Sequence, residues 1–300
     1  MQSIKTYILI CFTAIFCFAA KAQQLYKVSN YMQHSFLTNP AAVGANGYAT
    51  FGALYRSQWA GIEGGPATAI IFGDTYFSRM KTGLGIVLYS DRTGPTSRTG
   101  GELNLSYSVK LDDNNRRLMI GIGGQVIQFK VDKPKIADAI PNDPLLASSG
   151  STIKGDANAG IYYRSNTLNI GVSAKQLIQS RLNFIKTNAN PEGRLYRQYT
   201  ATASYDIKTD ESNILQPHAE IRYQPEAPID YEAGLTLYHK NMFHFGGSYH
   251  YKQAYTLFAG IKILHKFSIN YAYEAYTAPV GLFETGYSAH EIMLRYFFVK

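Results

Sequence analysis

Near the C-terminus His290 and Glu291 stand side by side in HEIMLRYFFVK, the two residue types that open a helical zinc-hydrolase site. That site needs a second histidine four positions after the first, on the same helix face, and position 294 is Leu. In a strand, successive side chains point to opposite faces, so there His290 and Glu291 cannot share a metal. Asp74, Asp91 and Asp143 are carboxylates of the kind that bind calcium, but no D-x-D-x-D-G loop holds them. His218, His239, His244, His250, His265 and His290 lie scattered, and no G-x-S-x-G elbow offers one of them a serine nucleophile. GIEGGP (61–66) and DRTGPTS (91–97) are Gly/Pro turn chemistry, since neither opens a helix that would cradle a phosphate. No catalytic, cofactor-binding or metal-ligating residue is expected.

The elements around these residues explain why. Leu103, Leu105, Tyr107 and Val109 alternate with Glu102, Asn104, Ser106 and Ser108. Phe267, Ile269, Tyr271 and Tyr273 oppose Ser268, Asn270, Ala272 and Glu274, and Phe243, Phe245 and Tyr249 oppose His244, Gly246 and Ser248. This is period two, with one apolar face and one small or polar face. At the C-terminus it sends Ile292, Leu294, Tyr296 and Phe298 to one side and Glu291, Met293 and Arg295 to the other. Glu291 and Arg295 are too far apart along a strand to pair directly. Glu274, Glu220 or Arg222 on neighbouring strands are their expected partners.

The N-terminus fixes the compartment. Lys5, the apolar run YILICFTAIFCFAA (7–20) and Ala20-Lys21-Ala22 form a secretory signal peptide over residues 1–22, too short for a stable membrane span. Both cysteines, Cys11 and Cys17, lie inside it, so the exported chain has no disulfide to lean on. With Lys5 and Lys21 set aside, 27 basic residues face 21 acidic ones, scattered without a run, which argues against a nucleic-acid partner. The 24 Tyr and 26 Gly, with only 17% charged residues, suit an exported all-β chain.

Strand length and number separate a soluble sandwich from a membrane barrel. Fourteen strands are expected: 48–58, 66–77, 81–91, 99–111, 116–131, 154–165, 166–175, 197–208, 213–224, 228–239, 241–251, 252–261, 264–275 and 286–298. Most reach the length of about 9–11 residues that a tilted membrane-crossing strand needs, against about 5–6 for soluble strands. Short connections (78–80, 112–115, 165–166, 209–212, 240–241 and near Leu264) alternate along most of the chain with longer ones (59–65, 92–98, 132–153, 176–196 and 276–285), with brief exceptions near Pro225 and Tyr251. An up-and-down barrel with tight turns at one end and loops at the other predicts that parity. The fold class is therefore an all-β, transmembrane, antiparallel up-and-down β-barrel of about 14 strands over 48–300, with outer-membrane lipid against its apolar face. Tyr55, Tyr89, Tyr163, Tyr205, Tyr223, Tyr238, Tyr273 and Tyr296 suit interfacial girdles.

Two further segments stand out. Residues 23–47 precede the first strand and carry Tyr31, Met32, Phe36 and Leu37, too apolar for a solvated tail. They read as a periplasmic or plug segment, anchored inside the barrel or against its periplasmic mouth. In the link LNFIKTNANPEGRLY (182–196), Leu182, Phe184 and Ile185 suit a docking surface, an inward-folded plug or a loop packed on itself.

Six pieces occur in order: NPAAVGANG (39–47) with LYRSQWAGIEGGPAT (54–68), GLGIVLYSDRTGPTS (83–97), NDPLLA (142–147), NAGIYYRSNTLNIGVSAKQL (158–177) and the final Ser288 to Phe298. Together they resemble the PorP/SprF family of Bacteroidetes outer-membrane proteins from about residue 30 to the end. The chain departs from the pattern where Ala289 separates Ser288 from His290, and where Val299 and Lys300 follow the last aromatic. The resemblance implies an accessory barrel of the type IX protein secretion and gliding motility machinery. It implies two partners, a secreted cell-surface protein engaged through its type IX C-terminal domain and an OmpA-like peptidoglycan-binding periplasmic protein. The residues alone leave an outer-membrane channel for small solutes as the alternative.

Overall fold

The structure is a computed structural model that describes residues 25–132, 151–182, 193–225, 227–277 and 288–299. The expected signal peptide (1–22), Asp143, Phe184, Ile185 and Lys300 lie outside the described residues.

The strands are β1 (Ala49–Ser57), β2 (Ala67–Phe77), β3 (Thr82–Thr93), β4 (Thr96–Lys110), β5 (Arg117–Val131), β6 (Ser151–Arg164) and β7 (Leu168–Lys175). After a two-residue ladder of β8 (Arg181–Leu182) and β9 (Gly193–Arg194) come β10 (Gln198–Tyr205), β11 (Ile207–Lys208), β12 (Asn213–Tyr223) and β13 (Asp230–His239). The chain ends with β14 (Phe243–His250), β15 (Ala254–Ile263), β16 (Phe267–Tyr276) and β17 (Ala289–Phe298). Each long strand pairs antiparallel with its neighbours, β10 pairs with β12, and β1 returns to β17. Fourteen strands thus close into one antiparallel barrel with no free edge, which is how a sheet satisfies its backbone N–H and C=O groups in lipid.

The expected period of two appears in every wall. In β4, Leu103, Leu105 and Tyr107 are exposed on the outer face while Glu102, Asn104, Ser106 and Ser108 are buried on the inner one. In β17, Ile292, Leu294, Tyr296 and Phe298 point outward and Glu291, Met293, Arg295 and Phe297 inward. Apolar side chains that a soluble protein would hide therefore form the outer band of a transmembrane barrel. Six of the eight girdle tyrosines lie on this outer face, but Tyr89 and Tyr238 do not. Tyr89 is buried among inward-facing neighbours, and the Tyr238 hydroxyl reaches Gln33 and Gln216, because both positions have the inward parity of their strands.

At one end, tight turns join β2–β3, β4–β5, β6–β7, β13–β14 and β15–β16, and β1 begins and β17 ends there. Lys240-Asn241 and Leu264-His265 both carry two successive positive φ angles, the mirror-type turn that matches strand twist, although neither contains glycine. The opposite end carries the longer links. One expected loop there is absent: β3 and β4 continue through 92–98, leaving only Gly94-Pro95 between them, with Gly94 at φ 55°. Cross-strand pairing down to Thr93 and Thr96 absorbs residues that looked like loop by their Gly/Pro content. The expected strand 252–261 begins and ends later, at Ala254 and Ile263, and 251–253 is a turn.

Candidate functional site: the occupied lumen

The barrel's polar inner face does not meet an empty pore. Residues 25–47 run along it, and Val28, Tyr31, Phe36, Leu37, Ala41, Ala42 and Val43 are buried there with Leu54, Ile70, Phe72, Val87, Met119 and Ile127 from the wall. The first described residues sit at the loop end. Lys27 Nζ lies 3.0 Å from Glu274 Oε1, 3.7 Å from Glu232 Oε2 and 2.9 Å from His250 Nδ1, all within two residues of the loop-end tips of β16, β13 and β14. From there the chain descends, and by Asn46, whose Oδ1 accepts 2.8 Å from Arg164 Nη1, it has reached the turn end. It then reverses into β1.

The loop-end anchor is built from opposed charges. The Glu291 carboxylate accepts from two successive backbone N–H groups, Ser29 at 2.8 Å and Asn30 at 3.1 Å. Ser29 Oγ donates to Glu274 Oε2 at 3.0 Å. Arg56, 1% exposed, donates to the same Glu274 oxygen at 2.8 Å, lies 3.7 Å from Glu291 and also bonds Ser29 Oγ. Arg56 and Glu291 are direct cross-strand neighbours in the seam that closes the barrel. Next to this cluster, Arg222 lies 3.2 Å from Glu220 and 2.9 Å from Asp230, and Asp230 also bonds His250. Burying so many charges is tolerable only because each has an opposite neighbour.

Lower down, the contacts become apolar and backbone-directed. The His34 ring lies tilted against Phe72 with centroids 4.5 Å apart, and Phe36 meets the Phe72 ring edge-on. Arg295 donates to the Gln33 carbonyl, to its Oε1 at 2.8 Å and to Ser268. Lys175 Nζ donates to the Leu37 carbonyl at 3.0 Å and Ser173 Oγ to that of Thr38 at 2.9 Å. A short 3₁₀ turn, Pro40–Ala42, is capped by Asn39, whose Oδ1 accepts from Ala41 N at 2.9 Å. The same Asn39 amide donates to the wall carbonyls of Ile161 and Val172. It fits because the wall is glycine where the turn lands: a Cβ on Gly121 would overlap Ala41, and one on Gly160 would overlap Asn39. The turn closes with Ser106 Oγ donating 2.7 Å to the Val43 carbonyl and Gly44 N donating 2.8 Å to Asp74.

Against the sequence expectations, Glu291 is neutralised by Arg56, not by Arg222, and Arg295 serves the N-terminal segment in place of Glu274 or Glu220. Glu220 and Arg222 pair with each other across one strand face. The remaining candidates disperse. Asp74 holds Gly44, while Asp91 holds Thr68 and Arg98. His218 bonds the Tyr31 hydroxyl, His239 bonds Asn213, and His290 faces outward to Tyr271. Among the described residues, no three His, Cys, Asp or Glu side chains gather as a metal site. Arg56 and Lys27 went unnoticed in the sequence, although inward parity and an opposite charge on the facing strand were signals available for Arg56.

A family model described as "Type IX secretion system membrane protein PorP/SprF" matches residues 20–296. The chain belongs to the PorP/SprF family. Its match takes in both the barrel and the segment that fills it. A comparison with curated proteins by sequence found no match. Solved structures share the barrel fold at low identity. The Ralstonia pickettii toluene transporter TbuX is 11% identical with a TM-score of 0.53, covering 88% of this chain and 93% of its own. The Pseudomonas putida toluene transporter TodX is 10% identical with a TM-score of 0.50, covering 91% and 94%.

The structure gives four of the six family segments a common physical role, while NDPLLA (142–147) lies outside the described residues. The NPAAVG stretch supplies Asn39, Pro40 and Val43 to the lumen, and NAGIYY supplies Gly160 as its seat. GIYYRSNTLNIGVSAKQL supplies Ser173 and Lys175, which hold Leu37 and Thr38. LYRSQW supplies Arg56, and the final strand supplies Glu291 and Arg295. Pieces far apart in the PorP/SprF sequence are thus two sides of one interface between segment and wall.

Proposed function

We propose that this PorP/SprF protein is an outer-membrane accessory of type IX secretion that helps export or surface-anchor a particular cell-surface protein. In this reading it engages the cargo through the cargo's C-terminal domain and links to an OmpA-like, peptidoglycan-binding partner on the periplasmic side. It is an assembly component with no catalysis of its own, placed in the outer membrane after export by its signal peptide. The observation that carries the reading is the filled lumen: a barrel whose inner wall is committed to its own N-terminal segment is built to be a fixed scaffold. Partners then meet its rims.

The alternative, a small-solute channel, draws on the polar inner face. Two measurements separate them. Deletion of the gene followed by surface proteomics should remove one or a few attached surface proteins and leave the rest. If every surface protein remains attached, the secretion reading is wrong. In planar bilayers the intact protein should give no steady conductance, whereas stable, solute-selective steps would favour the channel.

A further inference from the structure

The outer wall of β3, β4 and β5 is graded toward its loop end. β4 and β5 are 15 residues each, longer than the span of about 9–11 that crosses a bilayer, so their loop-end portions rise beyond the apolar band. Register sorts the outward residues into rows. Leu88, Gly101 and Val126 pair across the three strands, and Leu88 and Val126 are more than half exposed. The next outward row is Ser90, Thr99 and Gln128, and the one above it is Arg92, Ser97 and Lys130. Apolar, then neutral polar, then cationic is the order met on leaving a bilayer through its headgroups.

Arg92 and Lys130 flank Ser97 from either side, two strand spacings apart, about 10 Å between backbones. Their long side chains span that gap. They line a single concavity of about 120 Å³ with Thr96, Ser97 and the Gly94-Pro95 turn, and Asp132 completes its wall. One carboxylate against two cations leaves a net positive charge. The neighbouring inward arginine, Arg98, is already neutralised by Asp91, its Nε 3.1 Å from Oδ2. Neither Arg92 nor Lys130 has such a partner among the described residues.

We propose that this concavity binds the phosphate of an anionic membrane lipid, with Arg92 and Lys130 as its cationic walls and the Ser97 hydroxyl between them. The acyl chains would lie down the Leu88–Val126 face. Position selects lipid over free phosphate, because a headgroup anchored in the bilayer is held at this height and a soluble ion is not.

The test uses the purified, detergent-solubilised full-length protein and vesicles of phosphatidylcholine with or without phosphatidic acid. Co-sedimentation and native mass spectrometry should find phosphatidic acid retained by the wild type and weakened by added salt. Arg92→Gln with Lys130→Gln should lower that retention about tenfold or more. The matched pair at the turn end, Lys81→Gln with Lys208→Gln, should leave it unchanged. Heat-modifiable gel migration establishes that each variant is a folded barrel. Equal loss from both double variants, or equal retention by all three proteins, overturns the site. Displacement of the lipid by millimolar inorganic phosphate overturns the lipid assignment. The assay reads lipid capture alone, so its failure and the failure of the secretion reading are separate outcomes.

Discussion

Ser29 and Glu291 stand 262 positions apart in the chain, yet the Ser29 backbone N–H donates to the Glu291 carboxylate at 2.8 Å inside the barrel. The contact ties the N-terminal segment to the strand that closes the sheet. It also places Glu291 between that segment and Arg56, its cross-strand neighbour on β1.

Removing this carboxylate tests the anchor. Glu291→Ala leaves two backbone donors and a buried guanidinium short of an acceptor, a loss of about 3–5 kcal/mol by analogy with broken buried pairs. Glu291→Gln keeps an acceptor oxygen and should cost less. Limited proteolysis of the folded barrel should then cut near residues 25–33 in the Ala variant and spare the wild type. Equal protection in both would show that the segment is held elsewhere.

The glycine seat gives an independent handle. Gly160→Leu puts a side chain where Asn39 sits, against walls that close packing leaves no room to move. The 3₁₀ turn should be expelled while the outer strands remain paired. The expected readout is retained heat-modifiable migration with new protease sensitivity around Pro40. Gly124→Ala, where a Cβ meets open space, is the matched control and should change nothing.

If the loop-end anchor of the segment helps seal the lumen, removing that anchor should open a path. A variant with residues 1–22 fused directly to residue 34 loses Lys27, Ser29 and Asn30. Planar-bilayer recording should show conductance steps absent from the intact protein. Their absence would mean that residues 34–47 and the wall close the lumen without the anchor.

The direction of threading is also measurable, since both cysteines of the chain lie at positions 11 and 17. Leu25→Cys, near the loop end, should react with a membrane-impermeant maleimide in intact cells. Asp113→Cys, in an exposed turn at the other end, should react only after the outer membrane is permeabilised. Outer-membrane barrels keep their tight turns on the periplasmic side, and the reverse pattern would put the loop end there instead.

The sequence by itself determined the wall. Alternation such as Leu103/Asn104/Leu105 or Leu294/Arg295/Tyr296 sets which side chain faces out, because a pleated strand has a period of two and register cannot slip without moving every residue to the other face. Strand number and the barrel class followed from counting such runs. Parity also removed His290 from Glu291 without any coordinates. Strand ends were legible less well, since pairing through 92–98 is a property of two strands together and Gly94-Pro95 looks the same in a long loop or a tight turn. What only the tertiary structure decided was the interior. Which inward charge meets which depends on barrel closure bringing β1 beside β17, and on residues 25–47 descending from loop end to turn end. Arg56 with Glu291, Lys27 with Glu274 and Asn39 against Gly160 are contacts between distant segments. No local period encodes them, because the free energy that selects them appears only when the two sides meet.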